Sequence, residues 1–532
     1  MDCTSSRLQY SETGYFSKII TDYLKQEPAL APFYQHKPDM DGVKAAIAAR
    51  KQFGNHHRAA LVDAMEKQYS IVQTSAAVKE NLRLLLDDNT FTITTAHQPV
   101  IFTGTLYFVY KILHVIKLTA AFKTQLPQYN FVPVFYMGSE DADLDELGSI
   151  WLGGEKLTWD TKQTGAVGRM KTAGLEKIIT RIEGELSVQP YGKELLQLLK
   201  DCYFNSNDIQ TATFKLIDAL FSRFGLIVLI PDNPLLKKIM VPVFEEDLFK
   251  QTSSAIAEKT IESLSAHYKV QAHPRAINLF YLKDDIRERI EKTETGWQVV
   301  GKDIHFTEAS LRKELAEHPE RFSPNVILRG LFQETILPNI LFIGGGGELA
   351  YWLELKDIFV HYKVPYPILV VRNSFLIVEK KWQDKIKRLG FCEKDFFKPA
   401  QELLNRLVRS KGGDTLQLEN ELESVKAFYG ELKAKAGAID STLEKHIEAL
   451  RAKATRPLYE LEKKMLRAEK RKYKDQSTQI QATKAALFPN NSLQERIENF
   501  MPYYAKWGTK FIDMLYDNSL ALEQEFYILD EQ

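Results

Sequence analysis

The stretch FTITTAHQPVIFTGTLYFVYKILHVIKLTAAF, Phe91 to Phe122, decides the fold. Phe91 to Thr95 are β-branched or aromatic with no breaker, as a short strand requires. Ala96 to Gly104 then carries a histidine, a glutamine, a proline and a glycine, the composition of a turn. From Thr105 to Phe122 apolar groups recur at helical spacing, with Thr103 or Thr105 as the candidate N-cap. After the polar TQLPQYN, a second strand FVPVFYM (Phe131 to Met137) runs into GSEDADLDE (Gly138 to Glu146). Strand, polar loop, helix, strand, polar loop spells an α/β unit with a parallel sheet. Ligands of such sheets bind beyond the carboxyl ends of the strands. His97 and the acidic cluster are therefore expected to line one cleft.

Working outward, residues 1–90 read mostly as helices leading into the first strand, and 1–150 as N-terminal helices plus the first part of the core. His56 and His57 are neighbours on a helix and point in different directions, so they read as surface or packing residues. Residues 151–325 continue the core with inserted α+β segments. Within them TATFKLIDALFSRFG is a helix closed by Gly225, LIVLIP (Leu226 to Pro231) a buried strand, and HYKVQA, INLFYLK and WQVVGK short strands. Residues 326–380 supply the last part of the core. NVILRG (Asn325 to Gly330) reads as a strand, IGGGGELAYW as a glycine turn into a helix, and YPILVVRNSFLIV as a final strand.

From about Glu379 the texture changes. Long charged helices run through 381–485, interrupted by KGGDT (Lys411 to Thr415). Ile447, Leu450, Ala454, Leu458, Leu461, Met465 and Ala468 recur at threes and fours, as a coiled coil requires. Pro457 should bend or break that helix. The aromatic-rich tail, 486–532, is expected to pack back on the body.

At 532 residues the chain is too long for one hydrophobic core. Its 70 basic and 70 acidic residues cancel, giving no bulk field for nucleic acid or membrane surfaces. Cys3, Cys202 and Cys392 lie far apart, with no metal-ligand spacing, which suits a reducing compartment. With no signal-like start and no apolar run near the roughly 20 residues that span a bilayer, the expected location is cytoplasmic.

The polar clusters carry the chemistry. Backbone N–H groups at a helix start accept anions, and His97, Gln98, Gly104 and Lys111 surround such a start. Glu140, Asp141, Asp143, Asp145 and Glu146 place five carboxylates in seven residues. They repel one another unless cations, amines or arginines compensate them, or they cap the next helix. Asp141, Asp143 or Glu140 is suited to receive an amine or move a proton. Arg329, Gln333, Asn339 and Glu348 gather around the glycine turn, and Arg372 ends the YPILVV strand, where a guanidinium could grip carboxylate or phosphate. No P-loop lysine, GxSxG elbow, HExxH helix or paired CxxC occurs, and no metal site is expected.

TTAHQPVIFTGTLYFVYKI, VPVFYMGSEDADLDE and PNVILRGLFQETILPNILFIGGGGELAYW, with the LFP…LQER…Y…G…FI tail, together resemble the bacillithiol-biosynthesis cysteine-adding enzyme family. That resemblance implies a Rossmann-like core with insertions and a C-terminal coiled coil used for homodimer formation. It also implies a ligase that joins the carboxyl group of L-cysteine to the amino group of glucosaminyl-malate. The activating cofactor is left unassigned, with ATP or ADP as candidates. HQP lacks the second histidine of a synthetase-type loop, and no lysine-rich KMSKS-type loop is evident. The competing reading is a non-catalytic binding or scaffold protein on a degenerate synthetase fold.

Overall fold

A computed structural model describes residues 3–412 and 418–531. Its centre is built from β1 (Thr90–His97), α1 (Tyr107–Gln125), β2 (Asn130–Met137), β3 (Ile227–Leu229), α2 (Val326–Ile336), β4 (Asn339–Gly344), α3 (Gly346–Trp352) and β5 (Ile368–Val371). The sheet order is β5–β4–β1–β2–β3, and every pairing is parallel. The chain moves from β1 to one flank for β2 and β3, then returns to the other flank for β4 and β5. The junction of β1 and β4 is thus the topological switch point, where such sheets hold ligands.

Every residue of β1 is buried, and three of its four threonines find partners for their hydroxyls. Thr92 and Thr94 donate to the Asn339 side chain at 3.2 and 2.8 Å, and Thr95 to the Ile343 carbonyl at 2.7 Å. Phe91, Ile93, Phe131, Leu341 and Val370 of the strands share one core with Val115, Leu118 and Phe122 of α1. Each such side chain contributes about 1.5–3 kcal/mol when fully buried.

Several local expectations are corrected. Neither Thr103 nor Thr105 caps α1. Leu106 occupies the cap position, and its N–H donates to the Glu498 carbonyl at 2.7 Å. NVILRG is the start of helix α2 rather than a strand, because the Asn325 side chain accepts from the Ile327 N–H at 2.8 Å and caps it. A short run such as Val326 to Leu328 does not by itself distinguish strand from helix. HYKVQA forms no strand. The insertion is instead an antiparallel sheet ordered His305–Phe306, Trp297–Val299, Ile286–Lys292, Leu279–Lys283, Phe322–Pro324. Its Ile286–Lys292 strand was not anticipated.

Residues 3–375 with 494–527 form one unit, and 376–412 and 418–493 with 528–531 a second. Within the first, the returning tail is bound through the Asn499 amide, which donates to the carbonyls of Phe102, at 3.0 Å, and Gly104. The second unit contains the coiled coil, formed by α4 (Glu419–Gly437) and α5 (Leu443–Lys470). Lys433 of α4 pairs with Glu448 of α5 at 3.0 Å. Ile447, Leu450, Ala454, Leu458 and Met465 are half-buried, while Leu461 and Ala468 are exposed. The break expected at Pro457 is absent, since α5 runs through it. Of KGGDT, Lys411 and Gly412 end the helix Ala400–Gly412, and the rest lies outside the described residues. No helix among the described residues is long and apolar enough to cross a membrane.

Candidate active site

A cleft of about 810 Å³ opens at the carboxyl ends of the central strands. His97 ends β1, Gly138 to Asp141 follow β2, Gly345 to Glu348 follow β4, and Arg372 follows β5. Arg329 reaches it from α2, Arg287 from the insertion and Arg496 from the returning tail. His97 and the acids Glu140, Asp141 and Glu146 thus share one lining.

His97 is buried, its ring 5.3 Å from that of Tyr107 and 5.5 Å from that of Phe108. Burial, and then the positive charges of Lys111, Arg372 and Arg329, hold its pKa well below the ordinary histidine value, against the opposing effect of its hydrogen bond to the Gln98 side chain. The imidazole is therefore neutral near pH 7. Lys111, on the first turns of α1, donates to the Ala96 carbonyl at 2.9 Å and pairs with Glu348. Burial pulls the ammonium pKa down, while Glu348 opposes that shift. Glu348 also accepts from the Gly345 N–H at 2.8 Å, so one carboxylate ties the glycine turn to α1.

Four of the five acids after β2 have distinct fates. Asp141 accepts from the Gln98 amide at 3.1 Å, which aims it within the cleft. Asp143 is exposed and off the lining. It accepts from the Glu146 N–H at 3.1 Å and caps the short helix Leu144–Leu147. Glu140 is buried against Lys237, which is itself fully buried. Asp232 lies 3.8 Å from Lys237 and takes two 2.7 Å hydrogen bonds from Arg169. That alternating cluster compensates the Glu140 charge. Glu146 lines the cleft, and burial with the Asp143 and Asp141 charges raises its carboxyl pKa. No group of three or more potential metal ligands occurs among the described residues.

The arginines divide likewise. Arg372 is buried and pairs with Glu495 at 2.7 Å. Arg329 donates to the Tyr351 hydroxyl at 2.8 Å. Arg287 lies over the Phe280 ring at 4.1 Å and donates to Ser323 at 3.2 Å. Among the described residues, Arg287, Arg329 and Arg496 have no carboxylate in ion-pairing range. A cleft with several uncompensated guanidiniums is arranged for an anion.

Besides Asp143, three residues predicted for the site lie outside its lining. Gly104 adopts φ +64°, and a Cβ there would meet Val100 at 2.8 Å, so the glycine serves the turn. Gln333 and Asn339 donate to the buried Glu334 carboxylate at 2.9 and 2.7 Å, and Arg50 neutralises it at 2.8 Å. Lining residues that sequence reasoning missed include Tyr107, Tyr136, Tyr351, Arg287 and Arg496. The tyrosines sat inside apolar runs, and Arg496 sat in the LQER stretch noted only as a tail feature.

Residues 1–373 match the family model for the N-terminal Rossmann-like domain of bacillithiol-biosynthesis BshC, and 375–531 match that for its C-terminal coiled-coil domain. The chain belongs to the bacillithiol-biosynthesis BshC family. Its relatives in the family include proteins named "Putative cysteine ligase BshC". That of Flavobacterium johnsoniae is 40% identical over 529 residues, covering 99% of each chain. That of Cytophaga hutchinsonii is 36% identical over 514 residues, covering 96% of each. Family membership thus spans both units, and the Rossmann-like match contains all but one of the cleft-lining residues, Arg496 falling in the coiled-coil match.

Proposed function

We propose that the chain is a ligase that joins the carboxyl group of L-cysteine to the amino group of glucosaminyl-malate, forming the amide of bacillithiol. The observation that supports this most is full-length similarity to BshC proteins in a chain whose switch-point cleft combines a neutral histidine, an aimed carboxylate and uncompensated guanidiniums.

An ammonium must lose a proton before its nitrogen can attack, and a free carboxylate is a poor electrophile. In this reading Asp141, steered by Gln98, holds the ammonium, and the neutral imidazole of His97 takes its proton. The nitrogen then attacks the cysteine carbonyl carbon, and the carboxyl oxygen leaves with its activating group. Arg329 stabilises the anionic groups around the reacting centre, while the Lys111–Glu348 pair holds the glycine turn against α1. Glu140, tied to Lys237, fixes the loop. ATP and ADP are the candidate sources of activation. The same reading places the protein in the cytoplasm as a homodimer formed through α4 and α5, where Phe428, Leu443, Tyr459 and Leu461 are exposed.

The test is mass-spectrometric detection of product from purified protein, L-cysteine and glucosaminyl-malate, with and without ATP and magnesium. His97→Ala and Asp141→Ala should each lower turnover by about 10²-fold or more while leaving the thermal melt in place. Turnover at the unmutated rate in either variant would remove that residue from the mechanism.

A further inference from the structure

Two neighbouring tail residues, Glu495 and Arg496, meet the cleft in opposite electrostatic states. Glu495 is fully buried. Its carboxylate accepts from Arg372 at 2.7 Å, from the Ser374 hydroxyl at 3.1 Å and from the Phe375 N–H at 3.3 Å. Arg372 also donates to the Asn373 carbonyl and the Ser374 hydroxyl, each at 3.0 Å. Its guanidinium is therefore both charge-compensated and committed to protein acceptors, although it lines the cleft.

Arg496 lines the same cleft and is exposed. Among the described residues no carboxylate lies in ion-pairing range of it, and it stands over the Phe16 ring at 6.0 Å. Burial of its head and the nearby Arg372 charge act against its protonated form, with Glu495 and Tyr107 opposing. A guanidinium placed beside another cation, open to the cleft and unmatched by protein, has its bidentate fork available for a ligand.

We propose that Arg496 binds an oxyanion of the substrate, a carboxylate or a phosphate, and that Glu495 is a positioning residue that occupies Arg372 and leaves this task to Arg496. The proposal rests on the reading of the cleft as the reaction site and adds a tail residue to its ligand contacts.

Calorimetric titration of the full chain at low salt, with malonate in one arm and inorganic phosphate in the other, tests it and separates the two anion sources. The unmutated protein should bind at least one of them. Arg496→Gln should weaken that anion at least tenfold, and Arg496→Lys should recover part of the loss, since lysine keeps the charge but not the fork. Glu495→Gln keeps an acceptor for Arg372 but frees its charge, so the anion should bind several-fold tighter; a purely structural role would lower the melting temperature without tightening binding. If Arg496→Gln fails to fold, Arg496→Lys decides. No binding by the unmutated protein, or equal binding by the Arg496 variants, overturns the proposal. Unchanged or weaker binding by Glu495→Gln overturns the role given to Glu495. Arg496-dependent binding without amide product would sink the ligase reading and leave this one standing. Product formation with substrate KM values untouched by Arg496→Gln would do the reverse.

Discussion

The behaviour of His97 is set by its neighbours more than by its own chemistry. Burial and the Lys111 charge keep it neutral, so a base role is lost only as the pH falls through a value well below that of an ordinary histidine. Lys111→Met removes a cation that disfavours imidazolium, which raises the His97 pKa. The acidic limb of the kcat/KM profile should therefore move to higher pH in this variant, and a limb that stays put or moves down would contradict the electrostatic account. Histidine and acids were legible from their place after strands. Their division of labour was not, because Lys237 lies far along the chain from Glu140 and no local pattern announces the pair.

The β1–α1–β2 unit could be read directly, since its apolar pattern changes from strand to helical period within one stretch. Helix α2 could not, because VILRGL suits a buried strand equally well until Asn325 is seen to cap it. Asn325→Ala should cost about 1 kcal/mol in urea unfolding. Because α2 carries Arg329 within its first turns, the same change should raise a substrate KM before it abolishes turnover. Pro457 gives a second element-scale expectation. It sits inside α5 without ending it, at the usual helix-interior cost of about 3 kcal/mol. Pro457→Ala should raise the thermal stability of the coiled coil, followed by circular dichroism, and a lowered melt would show that the proline serves the native packing.

At the scale of the molecule, the chain leaves its first unit after Phe375 and re-enters it at Gln494. The tail is thus a structural member of the Rossmann-like unit. Deleting residues 494–532 strips the Glu495 bonds to Arg372 and the Asn499 bonds to the turn before α1. Removing one partner of a buried ion pair costs about 3–5 kcal/mol. The truncated chain should therefore show a first unit that melts earlier by calorimetry, and an unchanged melt would mean that the tail contributes no stability. Composition pointed to a docking tail through its aromatic residues but not to this role, because a buried partner 123 residues away leaves no trace in local spacing.

The same separation has a consequence at the ribosome. Arg372 emerges 123 residues ahead of Glu495, and at elongation speeds of roughly 5–20 residues per second the wait is about 6–25 s. Throughout that interval the nascent chain holds an unneutralised guanidinium destined for the interior, so the cleft can mature only after Glu495 has been made.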